Sequence, residues 1–150
     1  MRRLFVIVVC CVALLGCRGE RGASPAERQM LPAGDPIAGK EVFVKMHCGD
    51  CHEIYGSDLP PPTIDPPVPA YLGGNQLAAP DEGYLVTAIL DPSHEIAPGW
   101  MEELMTTPEG ASRMPEYGDA MTARELVDLV AFLRSRYGPD APAAPPSPEP

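Results

Sequence analysis

The sequence predicts a small all-α domain of about four helices joined by long irregular loops. Apolar residues recur at helical spacing near both ends of the central region, and no stretch alternates apolar and polar residues like a half-buried strand. Six prolines lie between Pro60 and Pro69, so this segment cannot form regular structure. So much loop in so small a domain suggests a core built around something other than side chains.

The first predicted helix begins at Asp35-Pro36, where Asp35 is the N-cap and proline occupies the first helical position. Val42, Phe43 and Met46 then share one face. Gly39 lies on the same stripe. Glycine is unfavourable inside a helix, so this position indicates the close approach of another element.

The last helix has the strongest signals. Thr122-Ala-Arg-Glu125 is a capping box, and Met121 and Leu126 are placed to form a hydrophobic staple. An apolar stripe follows, and Gly138-Pro139 ends the helix. The stripe consists of Leu126, Leu129, Val130, Leu133 and Tyr137.

Two weaker helices are predicted between these. Asp81 to Leu90 ends before Pro92, because proline disfavours helix in the residue that precedes it. Trp100 to Met105 adds one or two further turns before Pro108.

The N-terminus has the pattern of an export signal. Met1, Arg2 and Arg3 precede a 12-residue apolar stretch from Leu4 to Leu15, too short to span a bilayer. Leu14-Leu15-Gly16-Cys17 looks like a bacterial lipobox, which predicts an acylated Cys17 and a stable membrane anchor. A plain cleavage site with an incidental Cys17 is the alternative. Either way, the mature protein is expected outside the cytoplasm, on the periplasmic side.

These signals divide the chain into four parts. We predict a lipoprotein-type signal peptide over residues 1–16 and a flexible tether over 17–34, which has no apolar periodicity. The folded domain is expected over 35–138. The Pro/Ala-rich tail over 139–150 is expected to be disordered or extended.

The predicted domain is strongly acidic. It holds six lysines and arginines against 17 aspartates and glutamates, a formal net charge of −11. Such a domain is not expected to bind nucleic acid or an anionic membrane face. The charge suits a partner with a basic docking surface.

The segment Cys48-Gly49-Asp50-Cys51-His52 is C-x-x-C-H, the signature for covalent attachment of c-type haem. Two thiols three residues apart can each add to one haem vinyl group, and the following histidine is then held under the iron. The alternatives are a thioredoxin-like dithiol, a zinc site and a strained disulfide. The first lacks a βαβ pattern, and the second lacks further ligands at suitable spacing.

A single covalent haem needs a sixth iron ligand or an open position, and Met114-Pro115 is the best candidate for the ligand. A thioether is a soft ligand, and His/Met ligation raises the reduction potential. The other methionines are alternatives. Met46 and Met121 are explained by helix packing, and Met101 and Met105 lie four residues apart on a predicted helix.

Together these residues resemble a class I mono-haem c-type cytochrome in bacterial lipoprotein form. The resemblance covers Asp35 to Tyr137. It rests on Gly39 and Phe43, on C-x-x-C-H, and on Met114-Pro115 before the terminal helix. It implies a cytochrome c fold of three to five helices wrapped around one covalent haem c. The terminal helices would cross near Gly39 and Phe132, with His52 as the proximal ligand and Met114 as the distal ligand.

Three further residues are candidates for the haem pocket. The family's Gly-Pro pair after the motif is replaced by Leu59-Pro60-Pro61-Pro62, so Pro62 is the candidate for orienting His52. Trp100 is a candidate for packing on the haem or bonding a propionate, with a structural role as the alternative. Arg113 is a candidate for neutralising a propionate, or it is simply solvated. We interpret His94 and His47 as surface residues. The alternative for His94 is that it competes with Met114 as an axial iron ligand.

These predictions point to a single-electron carrier between extracytoplasmic respiratory or dehydrogenase partners. Two axial protein ligands leave no place for a small-molecule substrate, so the protein is not expected to be an enzyme. One rival is a haem enzyme or gas sensor, for which only His94 and Glu116 offer acid–base groups. The other is a permanent subunit of a larger complex.

Overall fold

The computed structural model describes residues 31–63, 70–75, 79–96 and 102–143. Within them, helix α1 is followed by a 3₁₀ turn, two short strands β1 and β2, and helices α2, α3 and α4. Their bounds are Pro36–Lys45 (α1), Cys48–Asp50 (3₁₀), His52–Ile54 (β1), Ala70–Leu72 (β2), Glu82–Leu90 (α2), Glu102–Met105 (α3) and Ala123–Ser135 (α4). The predicted all-α class with few helices is confirmed. Cys17, the predicted signal peptide and Trp100 lie outside the described residues.

Helix α1 starts and ends where local chemistry dictates. The Asp35 carboxylate accepts a hydrogen bond from the Ile37 amide at 2.8 Å, and Pro36 occupies the first turn, as predicted. At the other end His47 adopts a left-handed conformation with φ 57°, which only a minority of non-glycine residues adopt. The chain therefore leaves the helix axis just before Cys48.

Helix α4 begins with the predicted capping box. The Thr122 hydroxyl accepts from the Glu125 amide, and the Glu125 carboxylate accepts from the Thr122 amide at 2.8 Å. Lys45 of α1 also donates to this carboxylate. The Lys45 ammonium and the Thr122 donors lower the pKa of Glu125 to about 2, so it stays ionised at neutral pH.

The crossing of α1 and α4 organises the domain. A Cβ on Gly39 would lie 1.9 Å from the Asp128 carbonyl oxygen and 2.7 Å from Cβ of Phe132, so the backbones meet where only glycine fits. The rings of Phe43 and Phe132 pack edge to face with centroids 5.8 Å apart. Both the predicted close approach at Gly39 and the helix crossing are confirmed.

Asp128 lies inside this crossing with only 6% of its surface exposed. Its carboxylate accepts the Asp35 amide at 2.7 Å and the Arg124 Nε–H at 3.0 Å. A buried carboxylate is tolerated only when it is paired and hydrogen-bonded, and these two bonds meet that condition. Through them Asp128 ties the start of α1 to the middle of α4.

The remaining core is apolar and draws on α1, β1, α2 and α4. Its buried residues are Val42, Phe43, Ile54, Leu85, Ile89, Leu129, Val130, Phe132 and Leu133, and the half-buried Met46, Met121 and Leu126 pack against it. Among the described residues no helix has the length and apolarity needed to cross a bilayer. Helix α3 covers Glu102–Met105 of the predicted Trp100–Met105 segment, whose first two residues lie outside the described part of the chain.

The strands were not predicted. β1 and β2 pair in parallel, with His52 opposite Ala70 and Ile54 opposite Leu72. Three residues per strand are too few to produce a readable alternation, and the pairing joins segments separated by a proline-rich loop.

Contacts with the domain continue just outside the predicted range of 35–138. Leu31, in the predicted tether, donates its amide to Glu82 and packs against the core. At the other end, the carbonyl of Pro142 accepts the Asn75 amide at 3.1 Å. Neither segment has apolar periodicity in its sequence, and individual contacts hold each of them against the domain.

We expect Gly39→Ala to lower the free energy of unfolding by about 3 kcal/mol, because a methyl group would force the two helix backbones apart. Guanidinium unfolding of the haem-loaded protein measures this. Gly118→Ala is the control, since nothing lies within 4 Å of a Cβ at that position. Equal midpoints for the two variants would contradict the close approach.

Candidate functional site

The candidate site is built on the tight turn that follows α1. The Asp50 amide donates to the His47 carbonyl at 3.0 Å, and the Cys51 amide donates to the Cys48 carbonyl at 3.3 Å. These bonds wind Cys48–Asp50 into a single 3₁₀ turn. The two thiols therefore sit at the two ends of one turn, with His52 immediately after it.

Both cysteines are free, half-buried thiols. The turn lies on the core, since a Cβ on Gly49 would be 3.5 Å from the Phe43 ring. Burial raises the pKa of Cys48 to about 11, and the Asp50 and Cys51 charges add to the effect. This environment penalises a thiolate but not a neutral thioether, so it fits the product of haem attachment.

The geometry does not favour the alternative uses of these cysteines. Residues 55–63, which follow β1, form no helix, whereas a thioredoxin-like site is expected beside a βαβ unit. Within the described part of the chain, no group of three or more His, Cys, Asp or Glu side chains is arranged to hold a metal ion.

His52 is the first residue of β1 and is half-buried. Pairing with Ala70 holds its backbone, and the Tyr55 amide extends the ladder to the Leu72 carbonyl at 3.0 Å. The strand thus fixes the direction in which the chain leaves the cysteine turn.

Met114 lies half-buried in a loop that is attached to the rest of the domain at several points. Its own amide donates to the Ser112 hydroxyl at 3.1 Å, and the Arg113 amide donates to the Met105 carbonyl at 2.9 Å. The Ser112 amide bonds the Ser93 hydroxyl at 3.0 Å. These contacts hold the loop against the end of α3 and the turn after α2.

Tyr117 connects this loop with the cysteine turn and was missed by the sequence analysis. Its half-buried side chain packs against the same core cluster as Cys48. Burial raises the pKa of its phenol first, and the neighbouring charges of Cys48 and Cys51 raise it further. In the sequence, the only indication that Tyr117 belongs to the site is its position three residues after Met114.

The other candidate residues are placed as follows. His94 and Arg113 have exposed side chains, and Pro62 is half-buried beyond the turn that Leu59 anchors. His47 is exposed and lies 3.7 Å from the Asp50 carboxylate. Met105 is half-buried on α3, while Met101 and Trp100 lie outside the described residues.

Comparison with known proteins gave one result. A protein-family model described as cytochrome c matches residues 37–136, from the first turn of α1 to the end of α4. Neither the comparison with curated proteins nor that with solved structures found a match.

We expect Tyr117→Ala to lower the free energy of unfolding by about 2 kcal/mol, because it removes a half-buried ring beside the cysteine turn. Tyr117→Phe keeps the ring and should change stability by no more than about 0.5 kcal/mol. Urea unfolding of both variants measures the difference. If the two substitutions cost the same, the ring does not pack as described.

Proposed function

The chain belongs to the cytochrome c family, and from that premise we propose that it is an extracytoplasmic single-electron carrier with His52 and Met114 as axial iron ligands. Its cofactor is covalent haem c, and Cys48 and Cys51 fit the attachment motif. When bound, the haem supplies an iron that gains or loses one electron. The main observation behind this proposal is that Cys48 and Cys51 lie at the two ends of one tight turn, with His52 directly after it.

His52 is supported as the proximal ligand by its place in the chain. It follows Cys51 directly, so attachment of the two thioethers would hold its imidazole under the ring. The β1–β2 pairing limits backbone movement at this position. A ligand held in one place in both oxidation states keeps reorganisation small during electron transfer.

Met114 is supported as the distal ligand because two of the other described methionines have a packing role. Met46 and Met121 pack against the apolar core, and Met105 lies on α3. Met114 lies in a loop that is bonded to the end of α3 and to the turn after α2, and this loop leads to Tyr117, whose ring packs against the same core cluster as Cys48. Methionine ligation would favour the reduced iron and raise the potential.

An electron-transfer role without catalysis is favoured over a haem enzyme. A catalytic distal site would need an acid–base group close to the iron and room for a substrate. The two candidates for such a group, His94 and Glu116, are both exposed side chains. The exposed apolar side chains, Ile37, Val44, Tyr71, Tyr84 and Leu104, are spread over four elements, which suits transient docking.

The charge distribution supports partners with basic docking surfaces. Four of the six domain cations, Lys40, Lys45, Arg124 and Arg134, form ion pairs with carboxylates of the same domain. The excess carboxylates therefore dominate the outer field, which would steer a positively charged redox partner toward the domain.

We expect Met114→Ala to convert a low-spin ferric spectrum, with the weak far-red band of methionine-ligated haem, into one lacking that band. Visible spectroscopy of the purified, haem-loaded protein measures this. Met121→Ala is the matched control, since it removes a core thioether and should lower stability while the band remains. A band that survives Met114→Ala would refute the ligand assignment and direct attention to His94.

We expect Cys17→Ser to move the protein from the membrane fraction to the soluble fraction, because the acylated residue is lost. Fractionation of cells together with labelled fatty acid incorporation measures the change. Cys11→Ser, within the predicted signal, should leave both readouts as in the unaltered chain. Fatty acid labelling that persists after Cys17→Ser, or that is absent from the unaltered chain, would exclude an anchor at Cys17.

A further inference from the structure

The chain after α4 lies in a groove made by glycines. We define residues 136–142 as the C-terminal strap. The Gly74 amide donates to the Arg136 carbonyl at 3.0 Å, and the Gly138 amide donates to the Gly74 carbonyl at 3.3 Å. Gly74 and Tyr137 thereby form a parallel bridge that continues the direction of β2.

The strap then turns and closes over the end of β1. The Ala141 amide donates to the Gly138 carbonyl at 3.0 Å, and the Pro142 carbonyl accepts the Asn75 amide at 3.1 Å. A Cβ on Gly56 would lie 2.0 Å from Cγ of Pro142. The proline ring therefore occupies the space that any side chain at position 56 would fill.

The glycines that form the groove have left-handed backbone conformations and leave room for the strap. Gly56 has φ 64° and Gly73 has φ 93°, a conformation that favours glycine, and a Cβ on Gly73 would meet the Arg136 carbonyl oxygen at 2.8 Å. Gly56 lies just beyond β1, and Gly73 just beyond β2. The strap thus holds together the far ends of both strands.

We propose that the C-terminal strap is a positioning element for His52, an inference that rests on the proposed ligation by that residue. His52 opens β1, and the strap closes on the other end of the same two-stranded unit. Strands this short have few hydrogen bonds of their own, and an isolated pair is marginal in water. The strap bonds Gly74 and Asn75 beyond β2, and its Pro142 packs beside Gly56 beyond β1, so it limits the movement of the paired strands and of His52 at their other end.

Two truncations of the full, haem-loaded protein test the proposal. One ends at Gly138 and removes the Ala141 turn and Pro142. The control ends at Ala143 and removes only residues 144–150. Hydrogen exchange at the Tyr55 amide, which donates to the Leu72 carbonyl, reports the paired strands, and hyperfine-shifted proton resonances of the His52 ring in the ferric protein report the ligand.

We expect the chain ending at Gly138 to show about tenfold faster exchange at the Tyr55 amide, as the loss of one or two hydrogen bonds predicts. Its His52 ring resonances should shift, while the chain ending at Ala143 matches the intact protein. Unchanged ring resonances in the shorter chain would overturn the positioning role, even if its thermal stability falls.

Gly56→Ala is also combined with the truncation at Gly138 in a double-variant cycle. Gly56→Ala should alter the His52 resonances more in the intact chain, where it displaces Pro142, than in the chain ending at Gly138, where only the strain of a side chain at φ 64° remains. If that chain does not take up haem, Pro142→Gly in the full chain replaces it. Removal of the ring should then shift the resonances, and an unchanged spectrum would overturn the proposal.

The two proposals fail differently. An intact protein without shifted His52 resonances would refute His52 ligation, and with it the positioning role. Shifted resonances that no strap variant alters would refute the strap alone and leave the electron carrier in place.

Discussion

The contact between the backbones of α1 and α4 at Gly39 is the constraint on which the rest of the domain depends. A single missing side chain lets the Asp128 carbonyl approach, and the buried Asp128 carboxylate then holds the start of α1. With α1 placed, Phe43 packs on Phe132 and presents its ring to the cysteine turn. The attachment motif is therefore positioned by a helix crossing one turn or more away from it.

The candidate site combines one local and one distant contribution. The turn from Cys48 to His52 is produced by neighbouring residues, beginning with the left-handed His47. Met114 comes from a loop that owes its place to bonds with α3 and with the turn after α2. Tyr117 links the two parts, because its ring packs against the same core cluster as Cys48.

Segments without periodic sequence contribute to the packed structure at both ends. Leu31 bonds Glu82, and Glu82 also pairs with Arg134, so the chain before α1 is attached to α2 and α4. The strap after α4 does the same for the strands. Proline-rich composition indicates only that a segment has no regular hydrogen bonding of its own. Whether it is ordered depends on whether other elements offer donors and space, as Asn75 and Gly56 do here.

The sequence by itself determined α1, α2 and α4, the attachment motif and the methionine loop as a candidate. These depend on signals within a few residues, namely the caps at Asp35 and Thr122, apolar spacing, and C-x-x-C-H. Only the tertiary structure decided the β1–β2 pairing, the packing of Tyr117 against the core, and the attachment of the segments around Leu31 and Pro142 to the domain. Each of these depends on groups far apart in the chain. A three-residue strand or a bond to one distant amide leaves no periodic trace in the sequence.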